Sequence, residues 1–210
     1  KFLDNTFEEL KNGIAPKIGS EFILGNFEKF FAEPKTKTIE MDPDSEIIEN
    51  ELKSENWYVL DSFYGTSEEK ELIKFIKETI GNLENKYKEI YLLRNEEIYK
   101  IFDFKQGRGF CPDFILFLKT KEKKKVGIAE TEFYYQIFIE PKGDAFIGED
   151  GTFKTGKEGW KEVFLEEITE KYGLEKVIKS ENENYRLIGL PFFNKNHISS
   201  FNDDYNKICS

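Results

Sequence analysis

An acid and a base follow each other at the end of an apolar segment of this 210-residue chain. The segment "QIFIEPKG" ends in Glu140 and Lys142, which are separated only by Pro141. Side chains alternate between the two faces of a strand, so Glu140 and Lys142 would leave the same face. Upstream, "PDFILFLK" begins a second predicted strand with Asp113. If the two strands form a hairpin, Asp113 would lie beside Glu140 and Lys142 at one edge of a sheet.

Two carboxylates beside a lysine suit one kind of chemistry. Mg²⁺ prefers carboxylate and water oxygens, so Asp113 and Glu140 are candidate ligands. A metal held there would acidify a water and offset charge on a phosphorus centre, and Lys142 would orient the water or stabilise the transition state. The alternative is that Asp113 caps a turn while Glu140 and Lys142 form a surface pair. Short motifs of this kind also arise by chance.

A third carboxylate lies on a predicted helix. "GTSEEKELIKFIKETIGNLENKY" offers Thr66 or Ser67 as the N-cap and has apolar residues at helical spacing. At about 100° per residue, Glu69 falls close to the middle of the apolar face, where a charge needs a partner such as a metal or a lysine. A first-turn acid favoured by the helix dipole is the alternative interpretation.

The elements around these residues predict an α/β fold. Two strands are expected around a turn at Asn95, at "EIYLLRN" and "EIYKIFDF", and three more at "PDFILFLK", "FYYQIFIE" and "YRLIGLPFF". A second helix is expected at "GWKEVFLEEITEKYG" and is ended by Gly173. A C-terminal tail follows the last strand. This order implies a central mixed sheet flanked by helices. We expect residues 1–60 to form an accessory or linker segment and residues 61–210 to form the domain.

Composition excludes several classes of function. The single histidine, His197, leaves no set of histidine ligands for a zinc hydrolase, and Cys111 and Cys209 are too far apart for a CxxC site. The net charge of −10 argues against a module that coats DNA by neutralising phosphates.

The chain has no apolar run long enough for a membrane span, and we expect a reducing, cytoplasmic setting. Because it begins at Lys1, we also expect it to be part of a longer protein.

One segment resembles a phosphate-binding loop, but the motif is incomplete. "GTFKTGKE" has the G-x-x-x-x-G-K spacing, but Glu158 stands where a Ser or Thr would contact Mg²⁺. No buried strand precedes the motif. We therefore predict no ATP site and interpret this segment as a flexible connection into the second helix.

The order of these motifs resembles a known superfamily. Pro112 and Asp113, followed by Glu140-x-Lys142 on the next strand and preceded by a helix with Glu69, is similar to the PD-(D/E)xK nuclease motif. Four segments of the sequence resemble the C-terminal endonuclease domain of type III restriction enzyme Res subunits: "YLLRNEE", "GRGFCPDFILFLK", "YQIFIEPKG" and "GWKEVFLEEI". The resemblance covers about residues 62 to 192.

The resemblance implies a restriction-endonuclease-like fold and Mg²⁺-dependent cleavage of double-stranded DNA, with Mn²⁺ as a substitute. Asp113 and Glu140 would be the metal ligands together with the carbonyl of Pro141, and Lys142 would be the catalytic lysine, with Glu69 as a further catalytic carboxylate. Proteins of this kind work with helicase motor domains of the same chain and a methyltransferase subunit. The alternative is a catalytically silent nuclease-like domain that acts in assembly or DNA positioning; a third alternative is a plain acidic interaction module.

Several residues are candidate DNA contacts. Lys123 and Lys124 lie in a lysine-rich hairpin tip, "KTKEKKKVGIAE", where solvation explains them equally well. Arg108 and Gln136 are further candidates near the sheet edge, and Arg94 is a weaker one.

Overall fold

A computed structural model describes residues 46–48, 52–60, 62–95, 99–126, 129–173, 178–180 and 183–210 of the chain. Its elements in chain order are β1 (Glu46–Ile48), β2 (Phe63–Gly65), α1 (Ser67–Lys86), β3 (Tyr87–Arg94), β4 (Ile101–Phe102), β5 (Gly109–Phe110), β6 (Phe114–Thr120), β7 (Lys124–Val126), β8 (Ala129–Thr131), β9 (Phe133–Ile139), α2 (Gly159–Tyr172), β10 (Ile178–Ser180), β11 (Glu183–Gly189) and α3 (Ser199–Cys209). Short 3₁₀ turns lie at Asp144–Phe146 and Lys195–His197.

The main sheet has five strands in the order β10-β11-β9-β6-β3. β3, β6 and β9 are neighbours in antiparallel pairs, whereas β11 runs parallel to β9. The parallel pair is connected through α2, as a crossover between parallel strands requires. The sheet is therefore mixed, which confirms the α/β class and the β6–β9 hairpin expected from the sequence.

Alternation along β6 divides the core into two layers. Phe114, Leu116 and Leu118 belong to the cluster that contains the apolar residues of α1 and α3. Ile115 and Phe117 belong to the opposite cluster, which contains the apolar residues of α2. All seven residues of the strand are buried, because helices cover both of its faces. The same alternation assigns Asp113, just before the strand, to the α2 face.

Helix α1 begins as the sequence predicts. Thr66 is the N-cap, and a capping box links its side chain to the backbone of Glu69 while the Glu69 carboxylate accepts from the Thr66 N–H. The buried side chains Leu72, Ile73 and Ile76 then form the face that contacts the sheet.

Helix α2 lies close to β11. A Cβ added to Gly189 would lie 2.3 Å from the carbonyl oxygen of Leu165, so only glycine permits this approach of helix and strand. Thr169 Oγ1 also accepts from the Gly189 N–H at 2.9 Å. The helix ends at Gly173, as predicted. This contact holds the middle and the C-terminal half of α2 against the sheet.

Two sequence predictions were wrong in detail. The segment after the last strand is not a tail, because Ser199–Cys209 forms α3 and buries Phe201, Tyr205 and Ile208 against α1. Within the described part of the strand predicted at "EIYKIFDF", only Ile101–Phe102 forms a strand, which pairs with Gly109–Phe110 outside the main sheet. Aromatic content gave a strand signal in a segment whose partner is a strand of only two residues.

The N-terminal part of the described chain also joins the core. Leu52, Trp57 and Tyr58 are buried in the same cluster as α1 and the sheet. Tyr58 forms a parallel bridge with Leu92 of β3. The proposed boundary at residue 60 stays a prediction, and residues 1–45 lie outside the described part. Among the described residues, no helix combines the length and apolarity needed to cross a bilayer.

Candidate functional site

The start of β6 and the end of β9 meet at one end of the sheet. Phe114 is paired with Ile139, so the residues just beyond them, Asp113 and Glu140, lie next to each other. The Asp113 N–H donates to Glu140 Oε2 at 2.9 Å. Glu140 is only 1% exposed. A carboxylate this deeply buried is stable only with donors or cations around it.

Lysine 142 supplies one such cation. Its Nζ lies 2.9 Å from Glu140 Oε1, and its side chain is 13% exposed. The structure therefore brings Asp113, Glu140 and Lys142 together, as the strand alternation predicts. Burial acts to lower the pKa of Lys142, but the charges and hydrogen bonds of Glu140 and Glu158 outweigh it and the net pKa is raised. Lys142 is therefore a fixed positive charge at neutral pH.

Proline 141 has no backbone N–H, and the ladder needs none at this position. It forms a parallel bridge with Phe193, in which the Phe193 N–H donates to the Glu140 carbonyl and the Lys142 N–H donates to the Phe193 carbonyl. Both bonds use the neighbours of Pro141. Its carbonyl takes no part in this ladder, and within the described ranges no backbone hydrogen bond to it is present.

Asparagine 95 holds the Pro112–Asp113 backbone in position. Its backbone N–H donates to the Asp113 carbonyl at 2.7 Å, and its Nδ2 donates to the carbonyls of Pro112 and Tyr99, each at 2.8 Å. Its Oδ1 accepts from the Tyr99 N–H at 2.8 Å. The side chain is 8% exposed. The sequence predicts Asn95 only as a turn residue, because the Pro112 carbonyl that it binds lies 17 residues further along the chain.

The pKa of the Asp113 carboxyl is raised to about 7. Burial is the main cause, followed by the negative charges of Glu140 and Glu69, while Lys142 and Lys161 oppose the shift. A carboxyl that resists ionisation beside two other carboxylates is a site where a cation would be favourable.

Glutamate 69 lies near this cluster, but its carboxylate already has structural partners. Besides the capping box, its carboxylate pairs with the Arg94 guanidinium at 3.1 Å, and the residue is 6% exposed. Arg94 also donates to the Tyr64 carbonyl. The charge of Glu69 reaches Asp113, since it contributes to the raised pKa of that carboxyl. Its role as a catalytic carboxylate stays a prediction.

Two charged residues of the cluster were missed by sequence analysis. Glu158 Oε2 lies 2.8 Å from both Lys142 Nζ and Lys161 Nζ, and Lys161 Nζ lies 3.4 Å from Glu140 Oε1. Both residues come from the first turn of α2 or just before it. Glu158 and Lys161 are three residues apart, which is the spacing of an ion pair on a helix. This spacing was the one feature of the sequence that could have pointed to their contact. Their approach to Lys142 depends on the packing of α2.

The candidate DNA contacts are spread over the molecule. Arg108 stacks on Trp160, with its guanidinium carbon 4.1 Å from the ring centroid, and so lies at the start of α2 beside Lys161. Gln136 shares the strand face of Glu140 but lies four residues away, or about 13 Å. Lys123 is exposed just beyond the far end of β6, about 20 Å from Asp113 along the strand, and Lys124 begins β7. Of these four candidates, Arg108 lies at the start of α2, and the further candidate Arg94 pairs with Glu69 near the cluster.

The donor set for a metal consists of oxygens. Within the described ranges, no group of three or more His, Cys, Asp or Glu side chains could hold a metal ion. The carboxylates of Asp113 and Glu140 and the carbonyl of Pro141 are the candidate donors, and such oxygens suit a hard cation that keeps several waters. Burial raises the pKa of Asp113 most, and a divalent cation would offset the negative charges of Glu140 and Glu69 that raise it further.

Comparison with known proteins gives the family of the chain. A relative from Haemophilus influenzae, described as an uncharacterized protein, is 41% identical over 198 residues, which are 93% of this chain. The chain spans about 40% of the length of that relative. No solved structure matches the chain significantly. The family match extends over residues 16–209, so the chain belongs to the family described as HI_1054_C, C-terminal domain.

Proposed function

We propose that this chain is a metal-dependent DNA endonuclease domain with a restriction-endonuclease-like fold. The observation that carries the proposal is the convergence of Asp113, Glu140 and Lys142 at one end of a mixed sheet, with Asp113 resisting ionisation. Perturbed carboxyl groups beside a buried lysine are typical of sites that bind a cation and stabilise developing negative charge. The resemblance of the same residues to the PD-(D/E)xK motif supports this assignment.

Asp113, Glu140 and the Pro141 carbonyl would hold Mg²⁺ or Mn²⁺. When bound, the metal would supply a more acidic water and offset charge on the phosphate. The N–H of Asp113 fixes one Glu140 oxygen, which leaves the other to Lys142 and Lys161. Asn95 keeps Asp113 at the end of β6, so the carboxyls are held before substrate arrives.

Lysine 142 would act as a cation and not as a base. Its raised pKa keeps it protonated at neutral pH, so it cannot take a proton from water. It would stabilise the negative charge that grows on the phosphate oxygens. In the reaction, the water oxygen bonds to phosphorus, the bond to the leaving sugar oxygen breaks, and the proton of the water passes to solvent while the leaving oxygen gains one.

We propose that this domain works together with other domains. The chain spans about 40% of its Haemophilus influenzae relative, so there is length for other domains. The net charge of −10 argues that the domain does not hold DNA tightly by itself. We propose that helicase motor domains of the same chain and a methyltransferase subunit bring double-stranded DNA to it, as in a type III restriction system in the cytoplasm.

The test is cleavage of plasmid DNA at low salt with Mg²⁺ or Mn²⁺, by the chain alone and with its motor domains. We expect Asp113→Ala and Lys142→Ala each to lower the rate by at least about 100-fold, because each removes a group that acts on the reacting phosphate. Asp204→Ala and Lys207→Ala are matched controls, since they form an exposed Asp–Lys pair on α3 at 2.6 Å.

Equal cleavage by wild type and both site variants would exclude this site. A wild-type protein that binds DNA but never cuts it would favour the silent nuclease-like alternative. That alternative has one observation in its support, since both lysines of the cluster are already neutralised by Glu140 and Glu158. Thermal melting of every variant would separate loss of chemistry from loss of fold.

A further inference from the structure

One carboxylate oxygen bridges two lysines beside the proposed site. Glu158 Oε2 is 2.8 Å from Lys142 Nζ and 2.8 Å from Lys161 Nζ. The two lysines come from different elements, the loop after β9 and the first turn of α2. Helical spacing explains the pair of Glu158 with Lys161, but not the contact with Lys142. The two ammonium groups therefore converge on one point from two directions.

The two carboxylates that neutralise these lysines are not equivalent. Glu140 is 1% exposed and is also held by the Asp113 N–H. The Glu158 side chain is 29% exposed. Across the described ranges, its side chain has recorded polar contacts only with Lys142 and Lys161. Glu140 is thus fixed, whereas Glu158 could leave by turning its side chain toward solvent.

Glu158 Oε2 accepts from the ammonium groups of Lys142 and Lys161. A phosphate oxygen is also a negatively charged acceptor, so the two lysines would bind it at the same position equally well. The proposed reaction needs a phosphodiester next to Asp113 and Lys142, and Glu158 contacts the ammonium group of Lys142 that such a phosphodiester would use. The Lys161 ammonium lies 5.4 Å from the centroid of the Phe110 ring. The same ring packs edge-on against Trp160. These contacts hold Lys161 close to the site.

We propose that Lys142 and Lys161 form a two-lysine oxyanion site for the phosphodiester of DNA, and that Glu158 occupies this site until DNA displaces it. The proposal rests on the proposed function and adds to it a second phosphate-binding residue, Lys161, and an internal competitor, Glu158. Lys161 contacts the substrate in this scheme, and Glu158 restrains binding of anions at other times.

The test measures binding of a 20-base-pair DNA duplex by fluorescence anisotropy with Ca²⁺ in place of Mg²⁺, between about 20 and 150 mM salt. Lys161→Gln is expected to weaken binding about 5-fold and to reduce the slope of log K against log salt by about 1, because one phosphate contact is lost. Glu158→Gln keeps the side-chain shape without its charge and is expected to tighten binding about 5-fold, because DNA then has no carboxylate to displace. Lys161→Arg keeps the charge and is expected to retain the wild-type slope.

Matched controls come from α3, where Asp204 and Lys207 form a pair with the same spacing and a 2.6 Å contact. Lys207→Gln and Asp204→Asn are expected to leave both the affinity and the slope unchanged. A purely structural role of Lys161 would lower the melting temperature without changing the salt slope.

A wild-type slope in the folded Lys161→Gln variant would overturn the inference, as would unchanged affinity in Glu158→Gln. The proposed function has a separate readout, which is cleavage that depends on Asp113. If cleavage depends on Asp113 while the slope does not depend on Lys161, only the inference falls. Undetectable DNA binding by the wild-type chain at the lowest salt would overturn the inference, whereas Asp113-dependent cleavage in the presence of the motor domains would still support the proposed function.

Discussion

Replacing Asp113 by Asn should make the protein more stable, and by an amount that depends on pH. The folded protein raises the pKa of this carboxyl from its ordinary 3.8 to about 7, mainly by burial and then by the charges of Glu140 and Glu69. Below pH 3.8 the group is protonated in both the folded and the unfolded chain, and it costs no stability. As pH rises toward 7 the unfolded chain loses the proton first, so the free energy of unfolding falls. Above pH 7 the full cost is present.

The size of the effect follows from the two pKa values. The difference between 3.8 and about 7 corresponds to a free energy of roughly 4 kcal/mol, and we expect about 2 to 4 kcal/mol after partial exposure of the site is allowed for. Asn has the shape of the carboxyl without its charge. The stability difference between Asp113→Asn and wild type should therefore be small near pH 4.5 and should grow up to about pH 8.

Urea unfolding followed by tryptophan fluorescence at pH 4.5, 5.5, 6.5, 7.5 and 8.5 would measure this difference. The comparison of variant with wild type at each pH cancels the titration of other groups. Asp203→Asn on the exposed side of α3 is the control, and its effect should stay within about 0.5 kcal/mol at every pH. A difference for Asp113→Asn that is flat from pH 4.5 to 8.5 would refute the argument that the site holds a destabilised carboxyl. A difference that shrinks with rising pH would show that the sign is wrong.

Two further predictions concern the elements that hold the site. Asn95→Ala should lower the free energy of unfolding by about 2 to 4 kcal/mol in urea titrations, because three side-chain hydrogen bonds to Pro112 and Tyr99 are lost; unchanged stability would contradict the role given to Asn95. Phe201→Ala should cost about 3 to 5 kcal/mol in the same assay, because Phe201 is fully buried against Phe193 and Tyr205, and a cost below about 1 kcal/mol would mean that α3 does not pack as described.

Prediction from the sequence worked best where neighbours along the chain decide the structure. The N-cap at Thr66 and the helix after it depend on contacts within one turn, and both were confirmed. The β6–β9 hairpin joins segments close in sequence, so strand alternation was enough to bring Asp113 toward Glu140 and Lys142. The same kind of reasoning failed after Gly189, where an amphipathic segment of only 11 residues has no strong signal without the surface of α1 that it covers.

The position of Glu69 shows why one pattern supported two interpretations. The residue is buried near the site, as its place on the apolar face suggested, yet it also closes a capping box in the first turn. Its actual partner is Arg94, which comes from β3. Helical periodicity predicts on which face a side chain lies, but it does not identify the residue that faces it.

By itself, the sequence determined the α/β class, the first helix and the convergence of Asp113, Glu140 and Lys142, because 3.6-residue and two-residue periodicities are local properties of the backbone. Only the tertiary structure decided that Glu158 and Lys161 reach Lys142, since this requires α2 to lie across β11 at the distance that Gly189 permits. It also decided that Asn95 supports Asp113. Burial and the joint field of the converging charges raise the pKa of Asp113, and neither exists until the chain has folded.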